Sequence, residues 1–178
     1  RQFTGEDLSN EGLGGASMHA STSGVAHFTV SDRDEANNLI VELLNYLPDH
    51  NDIAPTGWPC TDPVDRPTPE ASEVIPDTST GSYDIRDVLA AVVDEGHLLE
   101  PRAEWATNLV TVLATIGGRP IGIVANQPQS VAGTLDIAAS QKGGRFVAFC
   151  DAFNLPLVTF VDTSGFYPGK DLEWRGMI

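Results

Sequence analysis

Two stretches of the chain decide the fold: Arg119-Pro-Ile-Gly-Ile-Val-Ala-Asn-Gln-Pro128 and Leu155-Pro-Leu-Val-Thr-Phe-Val-Asp-Thr-Ser-Gly-Phe-Tyr-Pro-Gly169. Each is an apolar, β-rich run that ends in a turn containing glycine or proline. A run that is apolar at nearly every position predicts a strand with both faces buried. Residues 136–152 between them have helical spacing, so the order predicts a strand–helix–strand crossover in an α/β protein. Ligands of such units bind at the carboxyl ends of the strands.

The apolar pattern predicts further elements on either side of these two stretches. A helix is predicted over residues 32–47, because acidic residues begin it, an apolar stripe follows and Pro48 ends it. A second helix is predicted over residues 83–95. Two strands, over residues 107–116 and 120–125, are joined by Gly117-Gly118, which is typical of a tight hairpin.

Two glycines, Gly143 and Gly144, lie inside the predicted helix over residues 136–152. Each costs roughly 1 kcal/mol of helix stability relative to alanine. That cost indicates a close contact with another helix or with backbone at this spot.

Seven prolines lie between Pro48 and Gly81, at positions 48, 55, 59, 63, 67, 69 and 76. This density predicts a segment without regular structure, which serves as a linker or a long extended connection between two domains.

Composition narrows the class of protein. With 41% hydrophobic and 20% charged residues, the chain can bury an ordinary core. A net charge of −15 and only ten Lys and Arg argue against binding to duplex nucleic acid. No apolar run reaches the roughly 18 to 20 residues that span a bilayer, and we expect a cytoplasmic protein. Cys60 and Cys150 are 90 positions apart without a CxxC partner, so we expect neither a disulfide framework nor a zinc site, and Cys150 is predicted to be a core residue.

Side-chain nucleophiles are not indicated by the motifs. Gly12-Leu-Gly-Gly-Ala-Ser17 follows no predicted strand and lacks the lysine of a phosphate-binding loop. Ser164 lacks the G-x-S-x-G pattern of a hydrolase, because Asp162 stands two positions before it. His19 and His27 flank a polar loop, and they either contact a ligand or hold that loop through hydrogen bonds to backbone.

A site built from backbone amides is the remaining candidate. Gly165 and Gly169 bracket Phe166-Tyr167-Pro168, and an aromatic ring beside free amides suits a flat polar ligand. The alternative, a rigid turn that merely connects a strand to a helix, explains the same residues.

A set of motifs then resembles the carboxyltransferase (β) subunits of biotin-dependent acyl-CoA carboxylases. The motifs cover nearly the whole chain in the family's order: Thr4-Gly-Glu-Asp7, Leu13-Gly-Gly-Ala16, His19 with Thr22-Ser-Gly-Val-Ala-His-Phe28, Tyr83-Asp84 with Arg86, Gly122 with Val124-Ala-Asn-Gln-Pro128, Ala132-Gly133, Leu135-Asp136, Arg145-Phe146-Val147, and Asp162 with Gly165-Phe166 and Pro168-Gly169.

This resemblance implies a crotonase-like fold, a ββα superhelix, of which the chain holds parts of two similar domains. Residues 1–60 end the N-terminal domain, residues 61–80 form the proline-rich linker, and residues 81–178 begin the C-terminal domain. In the family, carboxybiotin donates CO2 to the α-carbon of an acyl-CoA, and two oxyanion holes of backbone amides stabilise the charge that develops.

Site residues follow from the resemblance. The oxyanion-hole glycines are expected before Arg1 and after Ile178, so no catalytic residue is assigned within the chain. The biotin-binding loop is predicted to contain Gly165, Phe166, Tyr167, Pro168 and Gly169. A cleft wall, facing a neighbouring subunit, is predicted to contain Gly14, Gly15, His19, Ser23, Gly24, Asn126 and Gln127. No metal is expected in this subunit.

Partners are implied in the same way: an α subunit with biotin carboxylase and biotin carboxyl carrier functions, and a ring of six β subunits. The sequence departs from the family at Ala20, at Ser164 and at Lys170-Asp171-Leu172-Glu173. Propionyl-CoA, acetyl-CoA and longer acyl-CoAs are therefore all candidate substrates. Two alternatives are an acyl-CoA decarboxylase subunit and a non-catalytic scaffold paralogue. The chain has the pattern of a longer subunit cut at both ends, and we expect it not to catalyse by itself.

Overall fold

The computed structural model describes residues 5, 7–63, 65–78 and 80–177. A three-stranded sheet is built from β1 (Leu109–Ile116), β2 (Arg119–Asn126) and β3 (Leu157–Phe160), in the order β1-β2-β3. β1 and β2 are antiparallel, whereas β2 and β3 are parallel and are connected through helix α6 (Ile137–Ala152). The predicted α/β class and the strand–helix–strand crossover are therefore confirmed.

The β1–β2 hairpin turns at the predicted glycines. Gly117 and Gly118 have φ angles of 59° and 72°, which favour glycine. Both amides donate to the carboxylate of Asp94, at 2.9 and 2.7 Å. Burial acts to raise the pKa of Asp94, but these two hydrogen bonds, together with those from Thr115 and Cys60, outweigh it and leave the pKa below its usual value. The hairpin is thus fixed by its own geometry and by a carboxylate from an earlier part of the chain.

The two faces of the sheet are covered to different extents. The prediction that both faces are buried holds for β2, whose residues are buried except for its exposed first residue, Arg119, and the half-buried Val124. It is wrong for β3, in which Leu157 is 40% exposed and is followed by Val161 at 74%. The reason is that β3 pairs with β2 on one side and, within the described residues, with no strand on the other.

The helices begin where side chains satisfy their free amides. α3 (Arg33–Asn45) is capped by Asp32, and α6 by Asp136, whose carboxylate accepts from the amide of Ala139 at 2.8 Å. α5 (Ile85–Val92) is shorter than predicted, because Asp84 is its cap and a separate 3-10 turn (Asp94–Gly96) follows. Short helices complete the set: α1 (Asn10–Gly14), α2 (Ala16–Ser21), α4 (Pro69–Val74) and α7 (Lys170–Trp174).

Helix α4 lies within the segment that was expected to lack regular structure, so that expectation is wrong. Pro69 occupies the first turn, where its fixed φ suits a helix and its missing N–H costs nothing. Ala71 and Val74 of α4 pack against the hydrophobic core. Arg66 donates to the carbonyl oxygens of Ala91 and Val93 at 3.1 and 3.2 Å, at the end of α5. The division into two domains around this segment stays a prediction.

Hydrophobic clusters lie on both faces of the sheet. On one face, alternate residues of β1 (Val110, Val112, Ala114) pack with α5. On the other, Leu113 packs with Phe146 and Cys150 of α6, together with Tyr46 at the end of α3. Cys150 is fully buried, as predicted, and burial raises the pKa of its thiol to about 12. It is a packing residue rather than a nucleophile.

The two adjacent glycines of α6 have different surroundings, so alanine substitutions at the two positions should change stability in opposite directions. A Cβ at Gly144 meets no atom within 4 Å, whereas one at Gly143 lies 2.9 Å from Cδ2 of buried Leu109. We expect Gly144→Ala to raise the free energy of unfolding by about 0.5–1 kcal/mol. Gly143→Ala should lower it by about 1 kcal/mol, because strain outweighs helix propensity. Urea denaturation of both variants tests this, and equal effects would contradict it.

Candidate functional site

A cleft of about 710 Å³ lies where the parallel strands β2 and β3 end. Three segments surround it: the chain before α5, the turn after β2, and the loop after β3. Its lining residues are Ile75, Pro76, Asp77, Thr78, Thr80, Gly81, Ser82, Tyr83, Pro128, Ala132, Asp162, Thr163 and Ser164. We call this the carboxyl-end cleft. Its position is that predicted for a ligand site in a crossover unit.

A tyrosine–aspartate pair lies in the wall of this cleft. The hydroxyl of Tyr83 donates to Oδ2 of Asp162 at 2.8 Å and joins the segment before α5 to the loop after β3. Burial, followed by the hydrogen bond to Asp162, raises the pKa of Tyr83 to about 12. Tyr83 is therefore a neutral hydrogen-bonding group at physiological pH, and not a base.

The turn after β2 has an unusual backbone. Val131, Ala132 and Gly133 have consecutive positive φ angles of 48°, 53° and 66°. A positive φ is a genuine outlier for a β-branched residue, and each such non-glycine residue costs of order 1–3 kcal/mol. Buried amides hold the turn: Asn126 donates to the carbonyl of Gly133 at 2.9 Å, and Asn108 donates to that of Thr134 at 2.8 Å. Strain of this kind, held in place by buried hydrogen bonds, is typical of ligand sites.

Gly133 brings the two loops of the cleft together. A Cβ at this position would lie 2.4 Å from the carbonyl oxygen of Asp162, so only glycine permits the approach. Two residues later, Leu135 accepts from the amide of Tyr167 at 2.8 Å and donates to the carbonyl of Gly165 at 3.1 Å. The turn after β2 and the loop after β3 are therefore one packed unit.

The predicted biotin loop, residues 165–169, emerges beside the carboxyl-end cleft. Its aromatic residues are exposed, Phe166 by 52% and Tyr167 by 44%, so both rings are accessible to a ligand. Two of its amides are already used, because that of Tyr167 donates to Leu135 and that of Gly165 donates to Oγ1 of Thr163 at 3.1 Å. Gly165 has a φ of 127°, and a Cβ there would meet no atom within 4 Å. Its requirement for glycine comes from backbone conformation rather than from crowding.

Asn126 and Gln127 lie beneath the carboxyl-end cleft rather than in its lining. They are only 6% and 3% exposed. Oε1 of Gln127 accepts from the amide of Ile85 at 3.2 Å, and its Nε2 donates to Asp84 at 2.6 Å. These residues fix the end of β2 against the start of α5, and thereby position the cleft from below.

Asp84 belongs to a network that extends away from the cleft. Arg86 donates from Nε and Nη2 to the two carboxylate oxygens of Glu100, at 2.6 and 2.8 Å. Burial acts to raise the pKa of Asp84, but hydrogen bonds from Gln127 and Arg86 outweigh it, and the pKa is below its usual value. Asp84 is therefore ionised at neutral pH and holds Gln127 in one orientation.

The N-terminal group of predicted cleft residues lies elsewhere. Gly24 has a φ of 64°, and a Cβ there would lie 2.2 Å from the Trp105 ring. Nδ1 of His19 lies 2.9 Å from Oγ of Ser23, which is a bond between two side chains of this segment and not the bond to backbone that the structural alternative predicted. Gly14 is exposed and Gly15 is buried. None of the five lines the carboxyl-end cleft, and their proposed contact with a neighbouring subunit stays a prediction. Thr4 and Glu6 of the first motif lie outside the described residues.

Some features of the site were missed by the sequence reasoning. The strained turn at residues 131–133 had one signal, Gly133 in the Ala132-Gly133 motif, but nothing marked Val131 as a residue with positive φ. The pairing of Tyr83 with Asp162 joins positions 79 apart and has no local signal. Over the described ranges, no group of three or more His, Cys, Asp or Glu could hold a metal ion, and no helix is long and apolar enough to cross a membrane.

The chain belongs to the carboxyl transferase domain family, whose model matches residues 1–178. The carboxyltransferase subunit of propionyl-CoA carboxylase from Haloferax mediterranei is 47% identical over 179 residues. The α subunit of methylmalonyl-CoA decarboxylase from Veillonella parvula is 46% identical over 181 residues. Both alignments cover 100% of this chain, but only 34% and 35% of these relatives. The chain thus spans about a third of the length of the curated relatives that it matches.

A solved structure shares the fold. The transcarboxylase 12S hexamer, determined with methylmalonyl-coenzyme A and methylmalonic acid bound, superimposes with a TM-score of 0.95 at 45% identity. The match covers 99% of this chain and 34% of that one. The α/β architecture described above is therefore that of a known carboxyltransferase, and the predicted family is confirmed.

Proposed function

We propose that this chain is part of the carboxyltransferase component of an acyl-CoA carboxylase, which moves CO2 from carboxybiotin to the α-carbon of an acyl-CoA. One observation supports this function best: the carboxyl-end cleft is built from closely packed backbone turns, at residues 131–133 and 162–165, and has a neutral tyrosine in its wall. Closely packed turns of this kind would hold biotin in one orientation beside oxyanion-hole amides that other parts of the subunit supply, and the reaction needs no side-chain nucleophile.

Biotin is the ligand that we assign to the loop formed by Gly165, Phe166, Tyr167, Pro168 and Gly169. The exposed rings of Phe166 and Tyr167 offer apolar surface to the bicyclic ring of biotin, and the polar end of the ligand would face the carboxyl-end cleft. Parts of the protein outside these residues would bind the acyl-CoA thioester and would form both oxyanion holes. The chain's own residues would orient biotin and exclude water from it.

The wider assembly is proposed from the relatives. We infer a crotonase-like fold in two similar domains, a hexamer of β subunits, and a partner α subunit that carries biotin. The hexamer in the transcarboxylase 12S structure supports the oligomer. The cytoplasmic location expected from the sequence stays a prediction.

A decarboxylase subunit is the second candidate. It is favoured by one specific observation, since the methylmalonyl-CoA decarboxylase relative is 46% identical and the propionyl-CoA carboxylase relative is 47% identical. The two functions share the carboxyl-transfer step and differ in its direction. Transfer from methylmalonyl-CoA to free biotin, compared with carboxylation of propionyl-CoA by the complete complex, distinguishes them. The absence of both activities in the complete protein would favour a scaffold.

Gly165→Val in the complete subunit tests the biotin assignment. A φ of 127° is strained for valine, and distortion of the loop should lower kcat/KM for free biotin about tenfold. The matched control is Gly176→Val, because Gly176 also has positive φ, at 79°, and open space around it, but lies outside the cleft. The control should retain activity within about twofold. Unchanged turnover of free biotin by Gly165→Val would refute the assignment.

A further inference from the structure

A second cavity, of about 450 Å³, lies on the α6 side of the sheet. It is enclosed by α3, β1 and α6 and by two loop segments, at residues 27–28 and 101–102. Its lining residues are His27, Phe28, Leu43, Pro101, Arg102, Thr111, Leu113, Lys142, Arg145, Phe146 and Phe149. It shares no lining residue with the carboxyl-end cleft. We call it the α6 cavity.

One part of the α6 cavity is apolar. Leu113 is 1% exposed and Phe146 is 6% exposed, and both belong to the hydrophobic cluster on this face of the sheet. Half-buried Leu43 and Phe149 pack against the same cluster. A ligand group in contact with these side chains would be removed from water, which favours a hydrocarbon or an aromatic ring.

The other part is cationic and lacks counter-charges. Three of the chain's ten Lys and Arg residues line the cavity, although the net charge of the chain is −15, and no Asp or Glu of the described residues lines it. The guanidinium group of Arg145 makes no hydrogen bond or ion pair with the described residues. Nζ of Lys142 donates only to carbonyl oxygens, those of Trp105 and Ala106, at 2.9 and 3.5 Å. Nε of Arg102 also donates to a carbonyl, that of Gly24, at 2.7 Å.

The pKa values of the cationic groups are lowered mainly by burial, and neighbouring positive charges add to this effect for Arg102 and His27. Burial lowers the pKa of Lys142 to about 8. Burial, followed by the charge of Arg145, lowers the pKa of Arg102, and burial followed by the charge of Arg102 lowers that of His27. Glu100, whose charge acts in the opposite direction on Lys142, lies outside the cavity and is bound by Arg86. Among the described residues, no carboxylate lines the α6 cavity to balance its positive charges, so an anionic ligand would be favoured there.

We propose that the α6 cavity binds an amphipathic carboxylate, whose carboxyl group meets Arg102 and Arg145 and whose hydrocarbon body lies against Leu43, Phe146 and Phe149. Guanidinium groups bind carboxylates through paired, charge-assisted hydrogen bonds. The volume lies within the roughly 300–1,000 Å³ of sites for small molecules. This site is separate from the carboxyl-end cleft and does not depend on the proposed carboxyl transfer.

Calorimetric titration of the complete subunit with decanoate tests the ligand class. Decanoate is expected to bind saturably. 1-Decanol, which has the tail without the charge, and acetate, which has the charge without the tail, should each bind at least about tenfold more weakly. Absence of saturable decanoate binding, or equal binding of 1-decanol, would overturn the proposal.

Substitutions locate the site. Arg145→Met should weaken decanoate binding roughly tenfold or more, because a charge-assisted bond is lost. Arg119→Met, at an exposed arginine of the hairpin that lines no cavity described above, should leave decanoate binding unchanged.

A second pair of variants tests the apolar part of the cavity. Leu43→Trp should block it, whereas Leu44→Trp, on the neighbouring residue that is 59% exposed, should not. Since Arg145 is exposed, its variant keeps the test valid even if Leu43→Trp does not fold. If Arg145→Met does not weaken the binding of decanoate, decanoate binds elsewhere and the assignment is refuted.

Discussion

Gly133→Val is expected to lower carboxyl transfer by the complete subunit about a hundredfold or more. A Cβ at this position would lie 2.4 Å from the carbonyl oxygen of Asp162 and 3.3 Å from Cβ of Asn126. Ordinary contact begins at roughly 3.5 Å, so the two loops of the carboxyl-end cleft must separate by about 1 Å. Displacement of this size in a positioning element can cost on the order of 10²-fold in rate. The φ of 66° adds backbone strain that valine cannot relieve.

Loss of activity through unfolding must be separated from loss of geometry. Gly96→Val is the matched control, because Gly96 has a φ of 68°, a Cβ there would meet the carbonyl oxygen of Ala90 at 3.3 Å, and Gly96 does not line the cleft. Both variants should lower the melting temperature. Only Gly133→Val should lower kcat per folded molecule. A Gly133→Val enzyme that keeps half of the wild-type kcat would show that the junction of the two loops has no part in the reaction.

Elements whose signal is local were predictable from the sequence. The hairpin at Gly117-Gly118 follows from two adjacent glycines between β-rich runs, and α6 follows from apolar spacing after the Asp136 cap. The crossover connection follows from element order alone. Each of these features is set by the backbone preferences of residues that are close in sequence, which is why pattern and structure agree.

Features set by distant contacts were not predictable. The composition of β3 resembles that of β2, yet its burial depends on which strands pair with it. The proline density before Gly81 hid α4, which is stabilised by packing of Ala71 and Val74 on the core. Gly143 and Gly144 are indistinguishable in sequence, and only the position of Leu109 separates their roles.

In the candidate site too, what topology fixes was predictable and what distant contacts fix was not. Its location at the strand ends was predicted, because topology fixes it. The residues at positions 126 and 127 were assigned to the wall of a cleft, but both amides are buried and bind other parts of the chain. Polar residues after a strand can either face a ligand or hold the loops that do so. The sequence pattern is the same in both cases, and burial decides between them.

The burial of Gln127 makes it a sensitive position for added charge. Its Nε2 donates to Oδ1 of ionised Asp84 at 2.6 Å, and its exposed fraction is only 3%. Gln127→Glu keeps the shape but replaces this donor with a second carboxylate. Two carboxylates at this separation cannot both ionise without strong repulsion, so one pKa of the pair is raised, and the proton is shared.

We therefore expect Gln127→Glu to lower the free energy of unfolding by about 3 kcal/mol at pH 7, equivalent to a pKa raised by about two units. The direction in which this loss of stability changes with pH identifies its cause. In the wild type, the lowered pKa of Asp84 provides stability that is present above about pH 4 and is lost as pH falls. In the variant, one carboxyl of the pair has a raised pKa in the folded state. Its contribution to stability is present below about pH 4 and is lost as pH rises towards 7. Denaturation of both proteins between pH 4 and 7 measures the difference in stability, which should shrink on acidification.

Gln129→Glu is the control. It adds the same charge at an exposed position two residues away and should change the free energy of unfolding by less than about 0.5 kcal/mol at any of these pH values. If the loss in Gln127→Glu were independent of pH, its origin would be disrupted packing, and the charge contact between β2 and α5 would not be the element that holds the floor of the cleft.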